Sequence, residues 1–265
     1  MKQNIVDDYL SSTEPVPAIL LVGGMGTRLR SVIPSTPKPL ALVGTKSFLE
    51  LLVRQLRHQG FRRLVMCTGY LADQIEDEFK DGRSWDIEIE YSREPCPLGT
   101  AGAIKLAQCH LLDSPTFLVL NGDSFLEADF HQLIQFHRAH GALATMAVLE
   151  ATNGARYGRV HIGTDSRVIS FEEKTGSPAS GLVSAGVYVL NRAVFDHIPE
   201  GPSSLEKDVF PRLLSTGFYA LEQRGMFIDI GTPEDYARAQ ELCDRLYGVA
   251  LDRQYSHSHN RVTKA

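Results

Sequence analysis

The run Ala18-Ile19-Leu20-Leu21-Val22 breaks into Gly23-Gly24-Met25-Gly26-Thr27-Arg28-Leu29, an order of parts that commits the start of the chain to a buried strand feeding a glycine turn. Glycines let backbone N–H groups crowd an anion with no Cβ in the way, and a helix starting behind them would add its positive dipole end. Gly23, Gly24, Gly26 and Thr27 are therefore candidate phosphate or nucleotide contacts. Arg28 adds a planar fork for phosphate oxygens, and Lys38, in Pro37-Lys38-Pro39-Leu40, adds a point charge. A Walker loop needs Gly-Lys-Ser/Thr where Gly-Thr-Arg stands, and a dinucleotide fingerprint needs a third glycine where Leu29 stands. Taken alone, the loop reads equally as a bare strand-to-helix turn; the two cations favour an anion site.

Downstream, Phe48, Leu49, Leu51, Leu52 and Leu56 recur at helical spacing before Gly60, and Leu64-Val65-Met66-Cys67 reads as a buried strand. A helix over Ala72 to Phe79, an alternating strand Ile87-Ile89-Tyr91, and a helix from about Ala103 to Leu111 lead to the apolar strand Phe117 to Leu120. Strands that alternate with helices predict an α/β fold with a parallel sheet. Beyond Gly141 the pattern changes to short strands at Ala144 to Leu149, Gly158 to Ile162, Val168 to Phe171 and Val183 to Leu190. A helix near Leu205 to Leu214, strands at Tyr219 to Leu221 and Phe227 to Ile230, and a closing helix from Pro233 to Tyr247 complete the pattern. The expected organisation is an arm over 1–17, one domain over 18–247, and a polar tail over 248–265. Within the domain the pattern divides into 18–140, 141–232 and a closing helix over 233–247.

The formal charge of −5 over 265 residues provides no basic field for nucleic acid, so a phosphate ligand has to be held by local cations. Cys67, Cys96, Cys109 and Cys243 form no Cys-x-x-Cys pair, which argues against a zinc site or disulfide scaffold and for a reducing, cytoplasmic setting. No run of about 18 apolar residues predicts a membrane span. A homo-oligomer is compatible with all of this. His131, His137 and His140 could be imagined as a metal cluster, but no carboxylate or cysteine completes the set, so a solvated surface helix is expected. Asp123 and Asp229 each end an apolar strand, where open α/β sheets present ligand groups. Either aspartate alone reads as a turn or cap residue; together they could hold Mg²⁺, which takes one or two carboxylates plus phosphate oxygens.

The glycine turn and Pro37-Lys38-Pro39-Leu40 together resemble the signature of the sugar-1-phosphate nucleotidyltransferases, also called nucleotide-sugar pyrophosphorylases. Leu98-Gly99-Thr100-Ala101-Gly102-Ala103, Val119-Leu120-Asn121-Gly122-Asp123-Ser124, Phe171-Glu172-Glu173-Lys174 and Phe227-Ile228-Asp229-Ile230-Gly231-Thr232 resemble further motifs in the family's order, over about residues 18 to 245. Asn121-Gly122-Asp123-Ser124 and Ser204-Leu205-Glu206-Lys207-Asp208-Val209-Phe210-Pro211 are most similar to the heptose 1-phosphate guanylyltransferases, with mannose 1-phosphate enzymes next.

The resemblance implies a Rossmann-like three-layer fold, with a mostly parallel mixed sheet and a small sugar-binding β subdomain. It also implies Mg²⁺-dependent transfer of a nucleotidyl group, GTP favoured, to a sugar 1-phosphate, heptose favoured. Mannose or glucose 1-phosphate with GTP, dTTP, UTP or CTP is the alternative, and a non-catalytic nucleotide sensor a further one. Arg28, Lys38 and Asp123 would be catalytic, and Asp123 and Asp229 the metal ligands. Gly99 and Thr100 would lie against the base. Lys174 would grip the sugar phosphate, with Glu173, Tyr157, Gly158 and Ser184 around the sugar. On residues alone, Lys174 reads as an exposed lysine paired with a neighbouring glutamate, the commoner fate of such a cluster.

Overall fold

The computed structural model describes residues 15–151, 159–172 and 180–251. Its strands, in chain order, are β1 (Ala18–Leu21), β2 (Leu42–Val43), β3 (Lys46–Ser47), β4 (Arg63–Thr68), β5 (Glu88–Arg93), β6 (Thr116–Asn121), β7 (Ser124–Leu126), β8 (Ala144–Ala151), β9 (Arg159–Ile162), β10 (Val168–Glu172), β11 (Gly181–Asn191), β12 (Phe218–Glu222) and β13 (Phe227–Asp229). The helices are α1 (Phe48–His58), α2 (Ala72–Phe79), α3 (Gly99–Leu106), α4 (Phe130–Ala139), α5 (Phe210–Leu213), α6 (Pro233–Glu241) and α7 (Cys243–Leu251).

A nine-stranded mixed sheet forms the centre. Strands β5, β4, β1 and β6 lie side by side and parallel, and β11 then pairs antiparallel with β6 and β8. From β1 the chain builds outward through β4 to β5, then crosses back to place β6 on the other side of β1. That reversal of direction opens a crevice at the carboxyl ends of β1, β4 and β6, where α/β sheets bind ligands. Strands β8, β11 and β12 extend this same sheet, so the expected β subdomain is continuous with it; the β9–β10 hairpin joins through Arg159 opposite Val183.

Alternation along the strands supplies a core on each face. Ala18, Leu20, Leu64, Met66, Leu118 and Leu120 point to one side, under α1, α2, α4 and α7. Ile19, Val65, Cys67, Phe117 and Val119 point to the other, under α3 and α5. The result is three layers. Helix α1 forms where Ser47 can cap it: its Oγ accepts the Glu50 N–H at 3.2 Å, with Arg57 and His58 favourably placed in the last turn. Among the described residues, no helix is long and apolar enough to cross a membrane.

Several elements differ from their expected forms. The glycine turn leads into a single 3₁₀ turn, Thr27–Leu29, so it has no α-helix dipole behind it. Helix α3 starts four residues earlier than expected, at Gly99, and ends in a 3₁₀ turn over Ala107–Leu111. The expected helix at 205–214 opens as a π turn, Leu205–Val209, before α5. The closing helix is two helices broken at Leu242, and α7 runs through Gly248 to Leu251 because Leu246 and Ala250 are buried against the core. His137 is buried rather than solvated: its face of α4 packs on β8, where its Nδ1 lies 2.9 Å from the Thr145 hydroxyl.

Helices α6 and α7 also grip the β2–β3 hairpin that follows Lys38. Tyr236 and Gln240 donate to the Leu42 carbonyl, both at 2.6 Å, and the Gln240 carbonyl accepts the Gly44 N–H at 2.9 Å. The Tyr247 hydroxyl accepts the Thr45 N–H at 2.8 Å and donates to the Val43 carbonyl. A Cβ on Gly44 would stand 2.5 Å from that hydroxyl, so the contact requires glycine.

Candidate active site

The crevice encloses about 380 Å³ between the glycine turn, the start of α3 and the segment Asn121–Asp123. Strand ends fix its floor: Val22 N–H donates to the Cys67 carbonyl at 3.0 Å, and Gly122 N–H to the Leu21 carbonyl at 2.9 Å. A Cβ on Gly122 would meet Val22 at 2.6 Å, and one on Gly23 would meet the Glu94 carboxylate at 2.4 Å. These glycines admit neighbouring groups that no other residue would. Gly24, Thr27 and Arg28 are exposed along the rim, and the Arg28 guanidinium has no ionic partner among the described residues.

At the far wall the residues expected to do chemistry converge. Lys38 Nζ lies 2.5 Å from Asp123 Oδ2, with the lysine side chain only 10% exposed. Strands β7 and β13 pair antiparallel with Ser124 opposite Asp229, which carries Asp229 back to Asp123 across more than a hundred residues. The Ser124 hydroxyl stands 3.3 Å from Asp123 Oδ1 and 3.3 Å from Asp229 Oδ2, between the two carboxylates. Asp229 Oδ1 also accepts the Gly231 N–H at 2.5 Å.

The two acids are electrostatically unequal. Burial disfavours charge on Asp123, but the Lys38 ammonium outweighs it and holds the carboxyl below its ordinary range. Asp229 is pushed up, first by burial and then by the negative charge of Asp123. One lysine thus faces two part-buried carboxylates, leaving a local excess of negative charge. Among the described residues no group of three or more His, Cys, Asp and Glu side chains could hold a metal. A two-carboxylate set fits a hard divalent cation that draws its remaining ligands from phosphates and water.

Of the other expected residues, Gly99 and Thr100 do line the crevice. The Ala101 and Gly102 amides in the first turn of α3 are not open to a ligand, because both donate to the Ser203 carbonyl, at 3.0 and 3.3 Å. Thr100 is likewise engaged within the protein, accepting the Leu205 N–H at 2.8 Å. Ser184, on β11, accepts the Gly186 N–H at 3.3 Å. Tyr157, Gly158, Glu173 and Lys174 lie outside the described residues.

Two functional candidates escaped the sequence reading. Asn121 lines the crevice beside Asp123. Glu94 lines it at the glycine end, half-buried, its Oε2 accepting the Leu98 N–H at 2.6 Å and its carboxyl raised by burial. Glu94 sits just past β5, at the carboxyl edge of the sheet, and that position was the available signal.

A family model for nucleotidyl transferases matches residues 17–245. The chain belongs to the nucleotidyltransferase family. Across 222 residues, 83% of this chain, the nucleotidyltransferase is 39% identical to the mannose-1-phosphate guanylyltransferase catalytic subunit beta of Drosophila pseudoobscura pseudoobscura. It spans about 60% of that relative's length. Over 226 residues, 84% of this chain and 96% of the relative, it is 39% identical to the D-glycero-alpha-D-manno-heptose 1-phosphate guanylyltransferase of Aneurinibacillus thermoaerophilus. Among solved structures, HddC from Yersinia pseudotuberculosis complexed with GMP-PN superposes with a TM-score of 0.76 at 35% identity, covering 85% of this nucleotidyltransferase and 98% of HddC.

Proposed function

We propose that this nucleotidyltransferase moves a guanylyl group from GTP to a sugar 1-phosphate, heptose 1-phosphate first and mannose 1-phosphate second, with Mg²⁺ and release of pyrophosphate. The observation that carries the reading is the cluster of Lys38, Asp123, Ser124 and Asp229 beside a glycine-lined crevice. Similarity to guanylyltransferases of both sugars supports it. The order of preference follows the likeness of Asn121–Ser124 and Ser204–Pro211 to the heptose enzymes.

Guanine is favoured by Glu94. The Watson–Crick edge of guanine offers two adjacent donors, N1–H and the 2-amino group, to an acceptor-only carboxylate. Uracil and thymine offer a single N–H between two carbonyl oxygens that a carboxylate repels, and adenine presents an acceptor. Glu94 lies at the glycine end, where the base would enter.

In the reaction a phosphate oxygen of the sugar 1-phosphate forms a bond to the α-phosphorus of GTP. The bond from that phosphorus to the bridging oxygen breaks, and pyrophosphate leaves with the electron pair. The nucleophile is already an anion, so no general base and no covalent enzyme intermediate are required. Catalysis rests on alignment and on charge. Arg28 and Lys38 hold phosphate oxygens and offset the charge that builds on them. Lys174 would add a further cation, with Glu173, Tyr157, Gly158 and Ser184 around the sugar. Asp123 and Asp229 would hold Mg²⁺, which when bound neutralises phosphate charge and polarises the α-phosphate.

A matrix of the four common NTPs and dTTP against heptose, mannose and glucose 1-phosphates, read by pyrophosphate release with Mg²⁺, tests the reading. GTP with heptose or mannose 1-phosphate is expected to dominate. Absence of pyrophosphate release across the matrix refutes it.

A further inference from the structure

Glu206 lies in the π turn at Leu205–Val209, and π turns inside helices are frequent at functional sites. Its carboxylate accepts from three hydroxyl groups on three separate segments. Ser204 Oγ lies 3.0 Å from Oε2, Thr100 Oγ1 lies 3.4 Å from Oε2, and the Tyr188 hydroxyl lies 3.0 Å from Oε1. Thr100 belongs to the start of α3 at the crevice, and Tyr188 to β11, which leads away from the seam beside Asp123.

The chain of bonds continues past Tyr188. The Ser184 hydroxyl lies 3.2 Å from the Tyr188 oxygen. A carboxylate can only accept, so the Tyr188 proton goes to Glu206, and the Ser184 proton must then go to Tyr188. Burial and the charge of Glu206 keep the phenol protonated well above its ordinary range, which preserves this order. Ser184 also accepts the Gly186 N–H. Its proton and one lone pair are committed inward, and what it can offer a ligand is a single acceptor lone pair.

Local geometry ties the stretch of β11 that follows Ser184 to the wall of the site. The pairing of β11 with β8 shifts register between Ser184 and Tyr188, and Gly186 inside the shift has φ +70°. A Cβ there would stand 2.6 Å from the amide of Asn121, which lines the crevice next to Asp123. The irregular stretch of β11 is thus pressed against the wall of the site.

We infer that Glu206 is a positioning residue which, through Tyr188, fixes Ser184 as a hydrogen-bond acceptor for a hydroxyl group of the sugar 1-phosphate. A hydroxyl can satisfy that lone pair, whereas a phosphate oxygen cannot. The inference rests on the proposed guanylyl transfer and adds how the second substrate is oriented.

The test compares wild type with Glu206→Gln, Tyr188→Phe, Ser184→Ala and the double variant Tyr188→Phe/Ser184→Ala, each checked for fold by circular dichroism and Tm. Each single variant is expected to raise KM for the sugar 1-phosphate about fivefold to tenfold while KM for GTP stays within about twofold. The double variant is expected to be no worse than Ser184→Ala, because both changes act at one lone pair. Equal rises in both KM values, an additive double variant, or a lower Tm with both KM values unchanged overturns the inference. A wild-type enzyme that releases no pyrophosphate with any pair removes the proposed function and this inference with it; normal wild-type turnover with unaffected variants removes this inference alone.

Discussion

The parallel strands β5, β4, β1 and β6 and the antiparallel group around β11 and β8 meet at one seam, yet they serve the crevice by different means. On the parallel side the walls are largely main chain, with Gly23 against Glu94 and Gly122 against Val22 and the Leu21 carbonyl. On the antiparallel side, buried and part-buried side-chain polar groups are joined to one another: His137 with Thr145, and Tyr188 with Glu206 and Ser184. Backbone can surround a phosphate, which looks similar from every direction. Discriminating among sugar hydroxyls requires donors and acceptors of fixed polarity, which only side chains at defined positions supply.

The sharpest way to break this division is at the seam itself, where Asp123 follows β6. Asp123→Asn keeps the shape but removes a carboxylate, and the expected result is a loss of about a thousandfold in Mg²⁺-supported kcat with the fold intact. Pyrophosphate-release kinetics and circular dichroism read both halves of that statement. Retained turnover would show that chemistry does not depend on the seam.

The next effect belongs to the antiparallel side and is one of stability. Burial pushes the His137 imidazole down from 6.5 to about 4, and its Nε2 has no partner to receive a proton. Between those values the unfolded chain takes up a proton that the folded chain refuses, so stability is lost as pH falls through the window. The total is about 3 kcal/mol below both values. Urea unfolding at pH 7.5, 5 and 4 should show this loss, and His137→Gln should flatten it. An unchanged slope in the variant would mean that other groups dominate acid sensitivity.

Glu94 is the side-chain exception on the parallel side. Glu94→Gln presents one acceptor and one donor to guanine where the carboxylate presented two acceptors. The ratio of kcat/KM for GTP to that for UTP should fall about tenfold to a hundredfold. An unchanged ratio would return base selection to the backbone and make the division cleaner. The smallest effect lies outside both groups: Tyr247→Phe removes the hydroxyl that holds the β2–β3 turn and should cost about 1 kcal/mol in urea unfolding.

Much of the parallel side was legible in the sequence. Apolar runs ending in glycine announced β1 with its turn, and helical spacing announced α1 and α2, because those signals are local. The convergence of Asp123 with Asp229 was only conditional, since it depends on the pairing of β7 with β13, and neither short strand has a pattern that names its partner. His137 was misjudged for a related reason: three histidines in ten residues look solvated until β8 covers one of them. Glu94 went unnoticed among ordinary surface glutamates because burial, which sets it apart, comes from the distant glycine turn. Glu206 carries no local signal beyond its place in a motif, because its hydroxyl partners come from segments up to about a hundred residues away.

The hold of α6 and α7 on the β2–β3 hairpin has a practical corollary. Lys38 is presented by a stretch of chain whose next few residues are gripped by segments made two hundred positions later, so during synthesis that stretch gains its outer anchors only once α6 and α7 have emerged. A nascent chain halted before Tyr236 would carry a complete glycine turn and the Asp123 partner of Lys38, but a β2–β3 hairpin without its clamp. The brace on the lysine would therefore be completed late as the chain lengthens.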